Sequence, residues 1–267
     1  MSKRNNFFGS KSGLTARTIA FLAATGISDT TIANALNTMD LALIANGLDT
    51  KMKALYPFVG GTATTHKWNF MNALDTDAAF RLTFAGGWTH STNGALANGT
   101  NGYASTHLYP FVTLAQFSIG VSFYSRTAPY ASGDQHMWGA FSAGKGQITN
   151  DIYNSGTKSF VLQNDTGFID TAIASTTRLI SVSRTANNSV KLYRDGAVVA
   201  SSSSVTALSP ANNPLFISAT STAPTTGAVF SKFECALFAI HDGFNDAESA
   251  TMASLVNTFQ TSLSRNV

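Results

Sequence analysis

Charge is scarce in this sequence: Asp, Glu, Lys and Arg together make up 12% of its 267 residues, about half the roughly 25% of an ordinary soluble protein. Ser, Thr, Asn and Gly take their place. That replacement disfavours a coiled coil or a charge-rich disordered chain and suits an all-β protein with uncharged surfaces. Cys235 is the only cysteine, which excludes an intrachain disulfide and a multi-cysteine zinc site. Six prolines among 21 glycines exclude a collagen-like chain, and no apolar run approaches the roughly 18 residues of a membrane span. Glutamate occurs only at 234 and 248, one in a predicted strand and one in a predicted helix cap, so paired glycosidase carboxylates lack support.

What is present is an adequate core and an uneven charge. Hydrophobic residues at 44% and a mean hydropathy of +0.05 can fill one large β domain. Lys3, Arg4, Lys11 and Arg17 all precede the first acid, Asp29, so the first 28 residues carry +4 and the remainder −1. The body therefore lacks the basic surplus of a nucleic-acid surface. The basic arm reads either as an anchor on a partner or as a solvated terminus. The apolar stretch behind it, Ile19 to Ala24, is too short and begins too late for a signal peptide.

Periodicity divides the chain near Leu55. Ala16 to Ala24 predicts a short helix stopped by Gly26, and Ser28 with Asp29 starts a second in which Ile32, Leu36, Met39 and Leu43 form one stripe. That stripe is an anchoring or oligomerisation seam, with a homotrimer preferred, or it folds back on the chain's own sandwich. Residues 1–54 are thus an arm with a helical anchoring segment, and 55–267 a β domain. There the period becomes two: Phe80, Leu82 and Phe84 alternate with polar or small neighbours, and so do Phe117, Ile119, Val121 and Phe123. Asp195-Gly196 between Val190–Arg194 and Ala197–Ser201 predicts a tight hairpin. Further strands are predicted at Phe160–Gln163, Arg178–Arg184, Leu215–Ser218 and Phe233–Ile240. A final helix starts at Asn245, with Glu248 completing a capping box and Met252, Leu255, Val256, Phe259 and Leu263 forming its apolar stripe. Antiparallel sheets stacked as a sandwich follow.

Candidate chemistry is thin. Gly139 to Lys145 matches seven positions of a phosphate-binding loop, but Gly146 stands where a hydroxyl is needed and Gln147-Ile148-Thr149 reads as strand. His66, His90, His107, His136 and His241 never fall at i, i+3 or i+4, and no hydrolase elbow accompanies them. No metal site or cofactor is expected. Asp151, Asp165 and Asp170 with Asn150, Asn154 and Asn164 lack a regular Ca²⁺ pattern and are assigned to turns. Sugar binding needs an aromatic platform beside amide and carboxylate groups. Trp88 with His90 and Asn93, or Trp138 with Asp134 and His136, supply that chemistry, although a tryptophan in a sandwich also serves as core.

Several ordered blocks resemble a family. Tyr56-Pro57-Phe58-Val59-Gly60-Gly61, His66-Lys67-Trp68-Asn69, Gly86-Gly87-Trp88-Thr89-His90 and Asn98-Gly99-Thr100-Asn101-Gly102-Tyr103-Ala104 are followed by Ile180-Ser181-Val182-Ser183-Arg184, Leu192-Tyr193-Arg194-Asp195-Gly196 and Asp242 to Glu248. Together they resemble bacteriophage virion proteins built on a concanavalin A-like, laminin G-like jelly roll, over about Leu55 to Leu263. The resemblance implies a mainly β, two-sheet antiparallel jelly roll with a non-enzymatic role in a virion, as a head or tail fibre or decoration subunit. Its partners would be other virion proteins, reached through the N-terminal segment. A glycan-binding adhesion module contacting the host surface is the alternative.

Overall fold

The computed structural model describes residues 13–127, 133–153, 158–163, 168–173, 175–203 and 208–267. Lys3, Arg4 and Lys11 of the basic arm lie outside them. Two helices come first, each started by a side-chain oxygen. Thr15 accepts the Thr18 N–H ahead of α1 (Ala16–Thr25), which Gly26 ends at φ 71°. Asp29 accepts the N–H groups of Thr31 and Ile32 ahead of α2 (Thr30–Ala45).

β1 (Met52–Tyr56) leads through the single turn α3 (Ala63–His66) to four short strands: β2 (Thr83–Ala85), β3 (Trp88–Ser91), β4 (Gly94–Ala97) and β5 (Tyr103–Ser105). A second single turn, α4 (Pro110–Thr113), precedes the long strands β6 (Ile119–Ser125), β7 (Gln135–Ala140), β8 (Ile148–Tyr153), β9 (Lys158–Gln163) and β10 (Phe168–Ala172). Then follow β11 (Arg178–Ala186), β12 (Ser189–Arg194), β13 (Ala197–Ser202), β14 (Phe216–Ile217), β15 (Thr220–Ala223), β16 (Thr226–Ala228), β17 (Glu234–His241) and α5 (Asp246–Ser262).

The strands form a sandwich of two sheets. One runs β13-β12-β11-β6-β17-β4-β3, with β1 also on β17; the other runs β10-β9-β8-β7-β14-β5-β2, with β15 on β7 and β16 on β15. Pairing is antiparallel except for the short β15–β7 ladder. Ile119, Val121 and Phe123 of β6 enter the core between the sheets with Val182, Phe238 and Ile240. The opposite face of the first sheet is covered as well. Tyr124, Leu179, Leu237 and Ala239 form a second core with Leu36, Met39 and Leu43 of α2 and Met252, Val256 and Phe259 of α5. The order of layers is helices, first sheet, second sheet.

Particular expectations are met. Asp195 and Gly196 both take positive φ, 49° and 80°, between β12 and β13, as a type I′ hairpin requires. Both hydrogen bonds of the Asn245–Glu248 capping box form. Others are corrected. Phe80 ends a short 3₁₀ turn at φ 59°, so the strand expected from Phe80 starts only at Thr83. The boundary near Leu55 falls inside β1, which is hydrogen-bonded to β17. The seam residues Leu36, Met39 and Leu43 are buried against the chain's own sheet, because the outer face of β6 and β17 is itself apolar; Ile32 packs at the edge of that core. Arg17 is ion-paired with the buried Asp40 and lies 3.5 Å from Asp49, inside the helical layer.

Arg265 fastens the end of the chain. Its Nε donates to Gln260 Oε1 at 2.9 Å, Nη1 to the Phe58 carbonyl at 2.8 Å, and Nη2 to the carbonyls of Pro57 and Ala236 at 3.1 Å. Burial lowers its pKa only to about 10, so it remains a cation at neutral pH. Arg265→Lys keeps the charge but leaves carbonyls unpaired, and a loss of about 3 kcal/mol in urea unfolding is expected. Leu36→Ala should cost about 2–5 kcal/mol, and Leu36→Asp with Met39→Asp should unfold the chain. Wild-type stability in that double variant, by the same measurement, would contradict the placement of α2.

Candidate functional site

β7 carries one of the two tryptophan sets nominated for sugar contact, and a bulge splits it. His136 pairs with Asp151 and Trp138 with Asn150, so Met137 is the extra residue. Alternation would keep Trp138 on the face of Asp134 and His136; the bulge turns it inward instead. Trp138 is fully buried, with Phe123 and Phe238 at ring distances of 6.3 Å. It cannot be a sugar platform.

What remains on the outer face of the second sheet is a row of paired positions that carries one histidine and two aspartates. His136 is paired with Asp151, Asp151 with Phe160, and Phe160 with Asp170 across β7, β8, β9 and β10. Ile148, Ile152 and Ile169 point into the core, so Asp151 and Asp170 point away from it. The assignment of these two aspartates to turns is corrected accordingly; Asp165, Asn154 and Asn164 lie outside the described residues. Asp151 accepts the Gln135 N–H at 2.9 Å and stands 3.9 Å from His136 Nε2, while His136 Nδ1 is hydrogen-bonded to the Thr220 hydroxyl. Burial, then the neighbouring Asp134, raise the Asp151 pKa to about 7. Burial lowers that of His136 to about 4, leaving it neutral at pH 7. The Tyr153 hydroxyl is hydrogen-bonded to Asp170, and this carboxylate chiefly pushes the phenol up to about 12.

At the start of β7 the row opens into a cavity of about 230 Å³ lined by Asn98, Thr100, Asp134, Gln135, Phe230 and Lys232. Each wall has a local cause. Asn98 Oδ1 accepts the N–H groups of Thr100, Asn101 and Gly102 at 2.9, 3.1 and 3.0 Å, folding that loop upon itself. A second wall is a strap at 229–232. Its Val229 carbonyl takes the His136 N–H at 3.3 Å, and the Lys232 N–H donates to Gln135 Oε1 at 2.9 Å. Val229 is held at φ 52°, a conformation that a β-branched residue rarely adopts and that clusters at functional sites. No hydrogen bond or ion pair engages the Asp134 carboxylate or the Lys232 ammonium among the described residues. The cavity thus presents an acceptor, a donor cation and an aromatic ring. Phe230 and Lys232 went unnominated, since nothing local in the sequence signals a strained valine.

The other nominated set does not meet there. Trp88 donates its indole N–H to the carbonyls of Ala85 and Tyr103 at 3.1 and 3.2 Å, and its ring lies against Phe84 and His90. His66 Nε2 accepts the Gly61 N–H at 3.2 Å, which leaves Nδ1–H to donate to His90 Nδ1 at 3.0 Å. Burial, His90 and Arg265 depress His66 to about 3. The blocks Tyr56–Gly61, His66–Asn69 and Gly86–His90 therefore converge on a packed knot, and Asn93 sits exposed in the adjoining turn. The Gly139–Lys145 stretch runs from β7 into a turn before β8, so no helix N-terminus faces it. Among the described residues no cluster of three or more His, Cys, Asp or Glu is arranged to hold a metal, and no helix is long and apolar enough to cross a membrane.

No family model and no curated protein matches the sequence. Solved structures match the fold. Trypanosoma rangeli sialidase in complex with 2,3-difluorosialic acid superposes with a TM-score of 0.55 and 14% identity, over 83% of this chain and 37% of that one. The receptor-binding domain of botulinum neurotoxin C/D mosaic serotype gives 0.50 and 10%, over 77% and 51%. The binding domain of botulinum neurotoxin DC in complex with rat synaptotagmin II gives 0.50 and 9%, over 78% and 52%. At such identities the likeness is one of fold, and the chain spans about half or less of each of these proteins.

The buried histidines set an acid response. His66, His136 and His241 have native pKa values of about 3, 4 and 4, below the ordinary 6.5. Their contribution is complete above pH 6.5 and is lost as pH falls toward those values, because the unfolded chain takes up the protons first. Asp151, raised to about 7, acts oppositely: its native proton adds stability as pH falls from 7 to 4. Urea midpoints should decline from pH 6.5 to 4, and more steeply in Asp151→Asn. A shallower decline in that variant would contradict the assignment.

Proposed function

We propose that this chain is a glycan-binding β-sandwich module whose site is the small cavity at the start of β7 together with the row beside it. The observation carrying the proposal is the convergence of the unengaged Asp134 and Lys232 with Phe230 on one cavity. A carboxylate and an ammonium can orient hydroxyls, and an aromatic ring offers a surface for the C–H face of a sugar. The fold comparisons lend support: the sialidase was solved with a difluorosialic acid, and the toxin domains are described as binding domains.

The test is titration of host-surface oligosaccharides against the full chain. Asp134→Ala and Phe230→Ala should each weaken binding roughly 10- to 100-fold, the effect of losing one charged hydrogen bond or one buried ring, while the urea midpoint stays near wild type. Trp138→Ala should instead lose about 3–5 kcal/mol of stability. Binding unaffected by both site variants would overturn the proposal. Hydrolysis is assayed on the same glycans, because Asp151 holds a proton close to neutrality. No product is expected, and turnover abolished in Asp151→Asn would make the chain a glycosidase.

The resemblance of the ordered blocks to phage virion proteins supports a finer reading. The module is a fibre or decoration subunit of a bacteriophage particle, joined through its N-terminal segment and presenting the cavity to the host. The apolar surface that the N-terminal helices offer for contact between copies is then Ile19 of α1 with Leu41 and Ile44 of α2, each about half exposed, and a homotrimer is the expected assembly. Particles imaged with the protein labelled should carry the label; unlabelled particles would overturn this part.

A further inference from the structure

We propose that Phe111 and Val112 of α4 form a membrane wedge, directed at the surface of an anionic lipid bilayer. Three segments meet around it: 106–114 after β5, 141–146 after β7 and 209–215 before β14. The Gly146 N–H donates to the Ser209 carbonyl at 2.8 Å, the Phe111 N–H to that of Ala211 at 3.1 Å and the Leu215 N–H to that of Leu108 at 2.9 Å, while the Asn212 N–H donates to Ser142 Oγ at 2.9 Å. The turn is therefore braced from two sides. Pro110 takes its first position and is buried with Leu108 and Leu114, whereas Phe111 is 47% and Val112 78% exposed. Two consecutive apolar residues sent outward from one turn make a projection, not a groove. The wedge and the cavity lie at opposite ends of β7, so neither contact needs the other.

The chemistry of the three segments selects the occupant. Of Asp, Glu, Lys and Arg they contain Lys145 alone, and its ammonium lies 4.9 Å from the centre of the Phe111 ring. An apolar tip with a cation beside it matches a bilayer, whose acyl region takes the two side chains while an anionic headgroup meets the ammonium. The half-buried Tyr109 at the start of α4 suits the headgroup level, where an amphipathic ring is favoured. A protein partner fits less well, because two side chains supply far less than the about 800 Å² per partner of a stable interface. Acids that adjoin the cluster are engaged: Asp77, beside His107, with Arg81 at 3.0 Å, and Asp242, next to the Gly243 N–H that donates to Ser118, with Lys53 at 2.8 Å. Asp165, on the connection from β9 to β10, lies outside the described residues.

The experiment sediments the full chain with phosphatidylcholine vesicles and with equimolar phosphatidylcholine–phosphatidylglycerol vesicles. Partitioning should be weak and reversible, stronger on the anionic vesicles and lowered there by added salt. Phe111→Ser with Val112→Ser should reduce it about tenfold or more on both compositions, and Lys145→Gln about fivefold on the anionic one alone, each with a urea midpoint near wild type. In Phe111→Trp, brominated acyl chains should quench the added emission. No partitioning on either composition, partitioning that the double variant leaves unchanged, or an anionic preference untouched by Lys145→Gln would overturn the proposal. A wild-type oligomer that dissociates in the double variant would assign the turn to protein contact and overturn it equally.

Discussion

The first sheet is apolar on both faces, and most of the structure follows from that constraint. β6 and β17 send Val121, Phe123, Phe238 and Ile240 inward and Tyr124, Leu237 and Ala239 outward. A sandwich of two sheets buries only one of these faces. Exposing the other would leave a continuous apolar patch, at about 25 cal/mol for each Å² that remains wet. α2 and α5 remove it, and α1 braces α2 through Arg17 and the buried Asp40. Arg265 then ties the end of the chain to the carbonyls of Pro57, Phe58 and Ala236, joining the helical layer to the edge of the sheet.

This explains why a helical stripe that looks like a seam between molecules is a seam within one. Ile32, Leu36, Met39 and Leu43 have the spacing of any covering helix, and spacing does not say which surface is covered. The clue lay in β6: its core residues alternate with polar or small neighbours, yet Ser122 and Tyr124 among those neighbours are buried. Small polar residues and a tyrosine tolerate a helix laid over them as readily as water. Where local chemistry is decisive the reading was sound. The Asp195-Gly196 turn, the Asn245–Glu248 box and the stop at Gly26 depend on a few adjacent residues and one backbone requirement each.

The site was less legible because its parts are far apart in the chain and its geometry depends on defects. The bulge at Met137 moves Trp138 from the face of His136 into the core, and no residue type announces it. Asn150 points inward between Ile148 and Ile152, which conceals the alternation that would have placed Asp151 on a strand. The strap carrying Phe230 and Lys232 meets β7 through Val229 at positive φ and through the Lys232 N–H, which donates to Gln135 Oε1. Asp134 and His136 were legible from residue type alone; their neighbours required the fold. The result is a stiff, doubly covered sheet on one side and, on the other, a second sheet whose outer face is free to carry polar chemistry.

The ligand site proposed for this chain is that outer face, at the start of β7. Amide chemical-shift mapping of the isotopically labelled full chain with a neutral oligosaccharide tests it without altering a residue. Perturbations are expected at 98–102, 134–136 and 229–232 and at Asp151 and Asp170. Perturbations centred on Trp88, His90 and Asn93, with 134–136 and 229–232 unmoved, would contradict it.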